Sequence, residues 1–250
     1  MLAGHRNGHG IHSPFVYDLV RNVIFNKEGR EVPEKLREYH RALKVNQEVI
    51  KICNLGAGSR ITDSMVRKVS SVVRKSSVSQ RQGALLFRIA KWYRPLSVIE
   101  LGTGLGISTS YFAAGAEKAV ITTIEGCPGK HHFAQQNTSI YQSGGLEFLL
   151  GDFDLYFTDL VVNAENHSIF FIDGDHRYDP TLEKVGMILE QESITETMVI
   201  LDDIYWSGGM EKAWMELINH PRVDISLDLF NVGILIRRPE ISRQHFRISF

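Results

Sequence analysis

The chain has 250 residues, of which 43% are hydrophobic and 23% charged, and its formal net charge is −1. Its length fits one large domain, or one domain of about 150 residues with an extension. Two cysteines exclude a disulfide scaffold and a four-cysteine zinc site, and they suit a reducing cytoplasm. No apolar run approaches the roughly 20 residues of a membrane span, and the first residues lack a signal-peptide core. We therefore expect a cytoplasmic globular protein.

The charge is unevenly distributed along the chain. Residues 1–94 carry 18 Lys and Arg against 7 Asp and Glu, whereas residues 95–250 carry 10 against 22. Either the two halves neutralise each other, or the basic half attracts an acidic partner or substrate. The basic half contains no known nucleic-acid motif, so a nucleic-acid partner is not expected.

The first 94 residues show helical periodicity. Pro14 suits a first helical turn, and Pro95 would end the last helix. Helices are predicted at residues 15–24, 33–52, 61–78 and 82–93. Residues 55–59 contain a glycine turn without a preceding acid, which we interpret as a connection between helices. The prediction is a helical N-terminal cap over residues 1–82.

From residue 97 the pattern changes to short apolar runs that alternate with helix-like segments. This βαβ pattern is typical of a mostly parallel sheet covered on both faces. The runs lie at residues 97–101, 120–125, 146–150, 168–173, 198–202, 223–227 and 232–236. Only residues 228–231 separate the last two runs, which favours an antiparallel hairpin at or near a sheet edge. The sequence thus predicts a doubly wound, seven-stranded α/β domain over residues 83–250.

A glycine-rich turn follows the first run. The order Glu100-Leu101-Gly102-Thr103-Gly104-Leu105-Gly106 joins a strand to a helix whose first amides are free. The nicotinamide fingerprint would need glycine at position 107, which is Ile. The turn could also be a packing feature that contacts no ligand.

This motif resembles the first motif of class I S-adenosylmethionine (SAM)-dependent methyltransferases. The resemblance implies that the turn lies against the methionine part of SAM and that Glu100 helps to hold its amino group. It also implies that Asp152 receives the adenine amino group, although Asp152 could instead cap a helix. Glu125 ends the second run, where its carboxylate could accept both ribose hydroxyls. The predicted cofactor-binding residues are Glu100, Gly102, Thr103, Gly104, Gly106, Ser108, Glu125, Gly126, Asp152 and Asp173.

Acidic residues also end the fourth and fifth runs. Asp173, Asp202 and Asp203 would repel one another unless a cation, a basic partner or protonation compensated them. Three carboxylates suit Mg²⁺ or Ca²⁺. The alternative is helix capping combined with salt bridges to Arg177 or the basic half.

These two segments resemble the metal-dependent O-methyltransferases of the catechol and caffeoyl-coenzyme A type. That resemblance implies Asp173, Asp202 and Asp203 as metal ligands and places His176 where the family has its lysine base. Two departures are His176 for Lys and Asp203 for Asn. Residues 8–14 with the adjoining helices resemble a group of bacterial methyltransferase-like proteins, which implies a family-specific cap.

The expected function is SAM-dependent methylation of an oxygen on a small-molecule acceptor, with Asp173 and His176 as candidate catalytic residues. His176 could accept the acceptor's proton, or it could be a surface residue at a turn. A divalent metal could assist, or the methylation of O, N or C could be metal-free. The rival function is a non-catalytic cofactor-binding module whose basic half recruits an anionic partner. A homodimer is left open.

Overall fold

The computed structural model describes residues 13–26, 32–53, 64–138 and 145–248. The helices in the described ranges are α1 (Pro14–Leu19), α2 (Glu34–Val45), α3 (Val69–Ser76), α4 (Gln80–Tyr93), α5 (Ile107–Gly115), α6 (Pro128–Thr138), α7 (Phe157–Val162), α8 (Tyr178–Glu190) and α9 (Gly208–Leu217). The strands are β1 (Val49–Cys53), β2 (Ser64–Lys68), β3 (Ser97–Leu101), β4 (Val120–Glu125), β5 (Leu146–Leu150), β6 (Ser168–Ile172), β7 (Thr197–Asp202), β8 (Ile225–Asp228), β9 (Val232–Arg237) and β10 (Gln244–Arg247). Helix α1 continues into a π-helical turn over Val20–Ile24.

The chain divides into two compact units, residues 27–155 and residues 1–26 with 156–250. The predicted boundary between a cap and a catalytic domain near residue 82 stays a prediction. None of the helices in the described ranges is long and apolar enough to cross a membrane.

The unit of residues 27–155 contains three parallel strands in the order β3-β4-β5 and an antiparallel β1–β2 hairpin. Helix α4 begins with a capping box, in which Ser79 and Gln82 exchange side-chain-to-backbone hydrogen bonds. The helix ends at Arg94, which adopts a left-handed conformation directly before Pro95. The predicted end of this helix before Pro95 is confirmed, and the helix begins two residues earlier than predicted.

The other unit contains strands in the order β10-β8-β9-β7-β6. Strands β6 and β7 are parallel, and the antiparallel β8–β9 hairpin joins β7 through β9. Strand β10 pairs in parallel with β8 and was not predicted. Because only Phe246 of its residues is buried, β10 lacks the alternation that would reveal a strand.

The predicted α/β class is confirmed, since all seven predicted strands are present and most pair in parallel. Two predicted helices were wrong in part. Residues 49–53 form β1 instead of extending the helix at residues 33–52, and residues 64–68 of the segment 61–78 form β2, directly before α3. Pairing between the two strands, with Ile52 opposite Met65, overrides the local helical pattern. The glycine turn at residues 55–59 lies outside the described residues.

Candidate cofactor and acceptor sites

The glycine-rich turn has the backbone conformation that glycine allows most easily. Gly102, Gly104 and Gly106 have φ of 101°, 55° and 78°, in or beyond the left-handed region that side chains disfavour. The amides of Gly102 and Thr103 both donate to the carbonyl of Ile124, at 3.0 and 3.1 Å. The turn is therefore attached to the carboxyl end of β4, next to Glu125.

The glycines at positions 104 and 106 serve different purposes. A Cβ atom at Gly106 would lie 2.2 Å from the Thr138 hydroxyl and 3.3 Å from the Ala134 Cβ, so this glycine lets α5 pack against α6. A Cβ atom at Gly104 would meet nothing within 4 Å. Gly104 thus faces open space, and that space is where a ligand could approach the turn.

Glu125 is held at the end of β4 by two backbone amides. Its Oε2 accepts from the Gly104 amide at 2.9 Å, and its Oε1 accepts from the Cys127 amide at 2.8 Å. Only 5% of the residue is exposed. An ionised carboxylate has about four lone-pair directions, so acceptor capacity remains on both oxygens. The geometry fits a ligand with two neighbouring hydroxyls.

Glu100 lies inside the unit and has no exposed surface. Its Oε2 accepts from the hydroxyls of Thr109 and, at 2.7 Å, Thr123. Because Thr123 uses its one proton in this bond, Thr103 must be the donor in the 2.6 Å contact between the two threonine hydroxyls. Glu100 is thereby connected to the glycine turn through Thr123 and Thr103.

The buried position perturbs Glu100 electrostatically. Burial raises its pKa, and the hydroxyls of Ser108, Thr109 and Thr123 act in the opposite direction. The Oε1 atom is buried and has no hydrogen-bond partner among the described residues. An unpaired buried acceptor is costly, and a ligand amino group or a water could satisfy it.

The other predicted cofactor residues lie in the same unit. Ser108 and Thr103 are buried, Gly126 is half-buried and Asp152 is exposed. The Asp152 Oδ1 accepts from the Asp154 amide at 3.1 Å, at the start of a 3₁₀ turn over Phe153–Leu155. Asp152 therefore makes the capping contact that the sequence offered as an alternative, and its adenine contact stays a prediction.

The acids of the other unit occupy different environments. Asp202 ends β7 and is 7% exposed, and burial, followed by the neighbouring Asp203, raises its pKa to about 7. Asp203 adopts φ of 52°, a left-handed conformation that Asp and Asn tolerate best. The aspartate at this position is therefore compatible with the backbone conformation.

His176 lies in the loop after β6. Its Nε2 is 3.8 Å from the Asp173 Oδ1, too far for a hydrogen bond, and its ring centroid is 6.5 Å from that of Trp206. Burial lowers the pKa of His176, while Asp203 and Asp175 oppose the shift. A neutral imidazole can accept a proton. Arg177 binds Asp175 through two hydrogen bonds, so its cation compensates that carboxylate.

The predicted metal site is not supported by this arrangement. In the described part of the chain, no three His, Cys, Asp or Glu side chains are grouped so as to hold a metal ion. Asp173, Asp202 and Asp203 lie at the ends of two adjacent strands, as predicted, but they do not form a set of ligands.

Sequence reasoning missed the contact between the two cysteines. The Cys53 amide on β1 donates to the Cys127 Sγ at 3.0 Å, and Cys127 in turn donates its amide to Glu125. Gly129 makes this approach possible, because a Cβ atom there would lie 1.8 Å from the Lys51 carbonyl oxygen. The signal in the sequence was Cys127 two residues after Glu125, but nothing local indicated its partner.

Comparisons with known proteins bear on the family and the fold. Residues 99–204 match a protein-family model described as a methyltransferase domain. No curated protein matches the chain. Similar solved structures include a methyltransferase from Podospora anserina, solved bound to SAH, with a TM-score of 0.61, 18% identity and coverage of 86% of this chain and 97% of that one. An O-methyltransferase from Bacillus cereus, in complex with SAH, has a TM-score of 0.59, 17% identity and coverage of 90% and 97%.

A third similar structure is the O-methyltransferase TomG from Streptomyces achromogenes, solved with SAM, with a TM-score of 0.55, 18% identity and coverage of 65% of this chain and 82% of that one. At these identities the structures establish the fold. The resemblance inferred from the Glu100–Gly106 motif is confirmed: the chain has the Rossmann-like fold of the class I methyltransferases, and residues 99–204 match their methyltransferase domain.

Proposed function

We propose that the protein is a SAM-dependent methyltransferase that methylates an oxygen atom of a small-molecule acceptor. The observation that carries the proposal is the Glu125 carboxylate, which two backbone amides hold at the end of β4 beside the open space at Gly104. A carboxylate with free lone pairs at this position suits the two hydroxyls of a ribose. The Glu100 Oε1, which has no hydrogen-bond partner among the described residues, lies in the same unit and could accept a hydrogen bond from a polar group of the ligand.

SAM supplies an electrophilic methyl group when it is bound. The chain's own residues must bind it, orient the acceptor oxygen and receive the proton that this oxygen loses. Glu125 and the glycine turn would bind SAM. His176, which burial keeps neutral, would receive the proton, and Asp173 would help to position it.

The choice of oxygen is supported by the neutral histidine and by two similar structures that are O-methyltransferases. Metal assistance is not part of the proposal, because the acids after β6 and β7 do not assemble as ligands. A cytoplasmic location, a small-molecule acceptor and a homodimer remain our expectations.

Calorimetric titration of cofactor-free protein with SAH tests the cofactor site. Glu125→Ala should weaken binding by roughly 10- to 100-fold, since a hydrogen bond to a charged group contributes about 1.5–3 kcal/mol. Glu117→Ala is the matched control, because Glu117 is exposed and lies before β4 in the same unit. Equal affinities for the two variants would remove Glu125 from the site.

A second experiment separates catalysis from binding alone. Protein incubated with SAM carrying a deuterated methyl group and a small-molecule extract should yield labelled products, which mass spectrometry detects. His176→Gln should lower turnover at saturating SAM and leave SAH affinity unchanged. SAH binding without any labelled product would favour the rival function, a non-catalytic module that recruits an anionic partner.

A further inference from the structure

A cavity distinct from the predicted cofactor residues lies in the unit of residues 27–155. Its volume is about 240 Å³, and it lies between the β1–β2 hairpin and α3, with one residue contributed by α6. The described residues that line it are Ile52, Cys53, Met65, Arg67, Ser71, Val72, Lys75 and Lys130. Neither Glu125 nor any residue of the glycine turn is among them.

Strand register brings two of the lining residues to one face of the hairpin. Met65 and Arg67 are two positions apart on β2, and side chains in a strand alternate between its faces. The Arg67 Nη2 lies 3.6 Å from the Met65 Sδ, which places the guanidinium beside the apolar side chain. Met65 pairs with Ile52 across the strands. The hairpin thus contributes an apolar surface with a cation at its border.

The lining combines apolar and cationic groups. Ile52, Met65 and Val72 supply the apolar part, and Arg67, Lys75 and Lys130 supply three positive charges. No acidic residue is among the described residues that line the cavity. Like charges around one concave space repel one another, and their summed field attracts an anion.

Ser71 adds a hydrogen-bond donor to the basic side chains of the cavity. Ser71 is half-buried and can donate a hydrogen bond, and Lys130 is also half-buried. Arginine and lysine are the residues that bind phosphate oxygens most often, and the arginine fork can hold two of them. Three cations and a hydroxyl provide more positive charge and more hydrogen-bond donors than a single carboxylate needs. The lining therefore suits a phosphate better than a carboxylate.

We propose that this cavity binds the phosphate group of a small phosphorylated organic molecule, whose apolar portion lies on Ile52, Met65 and Val72. Its volume is below the usual range of about 300–1,000 Å³ for drug-sized ligands, so the ligand carries little more than one ring beside its phosphate. The inference goes beyond the proposed function and does not need methyl transfer.

The cavity is connected to the proposed ribose site by two hydrogen bonds. Cys53 lines the cavity, its amide donates to Cys127, and the Cys127 amide donates to Glu125. Burial and the hydrogen bond with Cys127 raise the pKa of the Cys53 thiol, so it stays protonated and adds no negative charge to the cavity.

Isothermal calorimetry with phenyl phosphate tests the proposal, using full-length protein saturated with SAH so that the cofactor site is filled. We expect saturable binding of phenyl phosphate, much weaker binding of benzoate and none of phenol. Arg67→Gln and Lys75→Gln should each weaken binding about tenfold, because each removes a charge-assisted contact. Lys118→Gln is the control, since Lys118 is an exposed cation elsewhere in the same unit.

Several results would overturn the proposal, and the first three concern phenyl phosphate itself. These are the absence of phenyl phosphate binding at millimolar concentration, equal weakening by Lys118→Gln, and binding that occurs only without SAH. Equal affinity for benzoate would also refute the commitment to phosphate. Ser71→Leu, which should fill the cavity without removing a charge, must abolish binding while the denaturation midpoint stays near that of the wild type. If it binds normally, the ligand lies elsewhere. Loss of SAH binding in Glu125→Ala leaves these outcomes unaffected.

Discussion

Acidification should destabilise the protein through one buried histidine. His40 on α2 has no exposed surface, and its Nδ1 lies 3.1 Å from the Tyr111 hydroxyl on α5. Its Nε2 is buried without a partner among the described residues. Burial, followed by repulsion from Lys44, lowers the pKa of His40 from 6.5 to about 4. The folded state therefore resists protonation, whereas the unfolded state does not.

The sign and size of the effect follow from proton linkage. Above about pH 7.5, one unit over the ordinary pKa of histidine, His40 is neutral in both states and contributes almost no pH dependence. As the pH falls from 6.5 towards 4, the unfolded state takes up the proton first, so the free energy of unfolding decreases. At 1.36 kcal/mol per pKa unit, the full loss is about 3 kcal/mol, of which about 2 kcal/mol is reached at pH 5.

Urea denaturation at pH 7.5 and pH 5 measures this loss. Other groups also titrate, so the informative quantity is the difference between wild type and His40→Asn, in which the amide retains a partner for Tyr111 but does not titrate. Between the two pH values the wild type should lose about 2 kcal/mol more than the variant. Tyr111→Phe retains the histidine and should preserve most of the pH dependence. An equal loss in wild type and His40→Asn would refute the assignment.

Three further predictions concern the glycines and the acids. Gly104→Val should abolish SAH binding, while Gly104→Ala, which shares the strain of φ at 55°, should reduce it less, because only the larger side chain fills the open space. Gly129→Ala should lower the free energy of unfolding by about 1–3 kcal/mol through overpacking against the Lys51 carbonyl. The control is Gly186→Ala within α8, where the added Cβ atom would meet nothing within 4 Å, so this change should be neutral or slightly stabilising. Treatment with a chelator should leave turnover unchanged. Activity that disappears with the chelator and returns with Mg²⁺ would contradict this prediction and support a metal site at Asp173, Asp202 and Asp203.

The sequence predicts β3, β4 and β5 to the residue. Each is a short, mostly apolar run followed directly by a glycine, so the pattern that predicts it is local. The β1–β2 hairpin was not predicted, because its first strand continues a helical pattern and its stability comes from pairing with residues 11 or more positions away. The helical prediction failed because local propensity contains no information about a pairing partner that is distant in sequence.

The same distinction applies to the proposed cofactor site. The position of Glu125 at a strand end was predictable, since the carboxyl ends of parallel strands share one edge of a sheet. The amides that hold it were not, because Gly104 lies 21 residues away and is brought close by the attachment of the turn to Ile124. Sequence therefore indicates the residue, while the fold supplies the hydrogen bonds that fix its orientation.

The acids at the ends of β6 and β7 show why a resemblance based on sequence position alone can predict a metal site that the side chains do not form. Asp202 and Asp203 are neighbours in sequence, but Asp202 is the last residue of β7 and Asp203 lies beyond the strand. Asp202 is buried, and Asp203 is half-buried with a left-handed backbone. A shared strand end brings backbones together, but ligand geometry depends on side-chain direction. The departure at His176 has a different consequence: burial lowers its pKa and leaves a neutral imidazole, so a proton acceptor is present near Asp173 without the lysine of the resembled family.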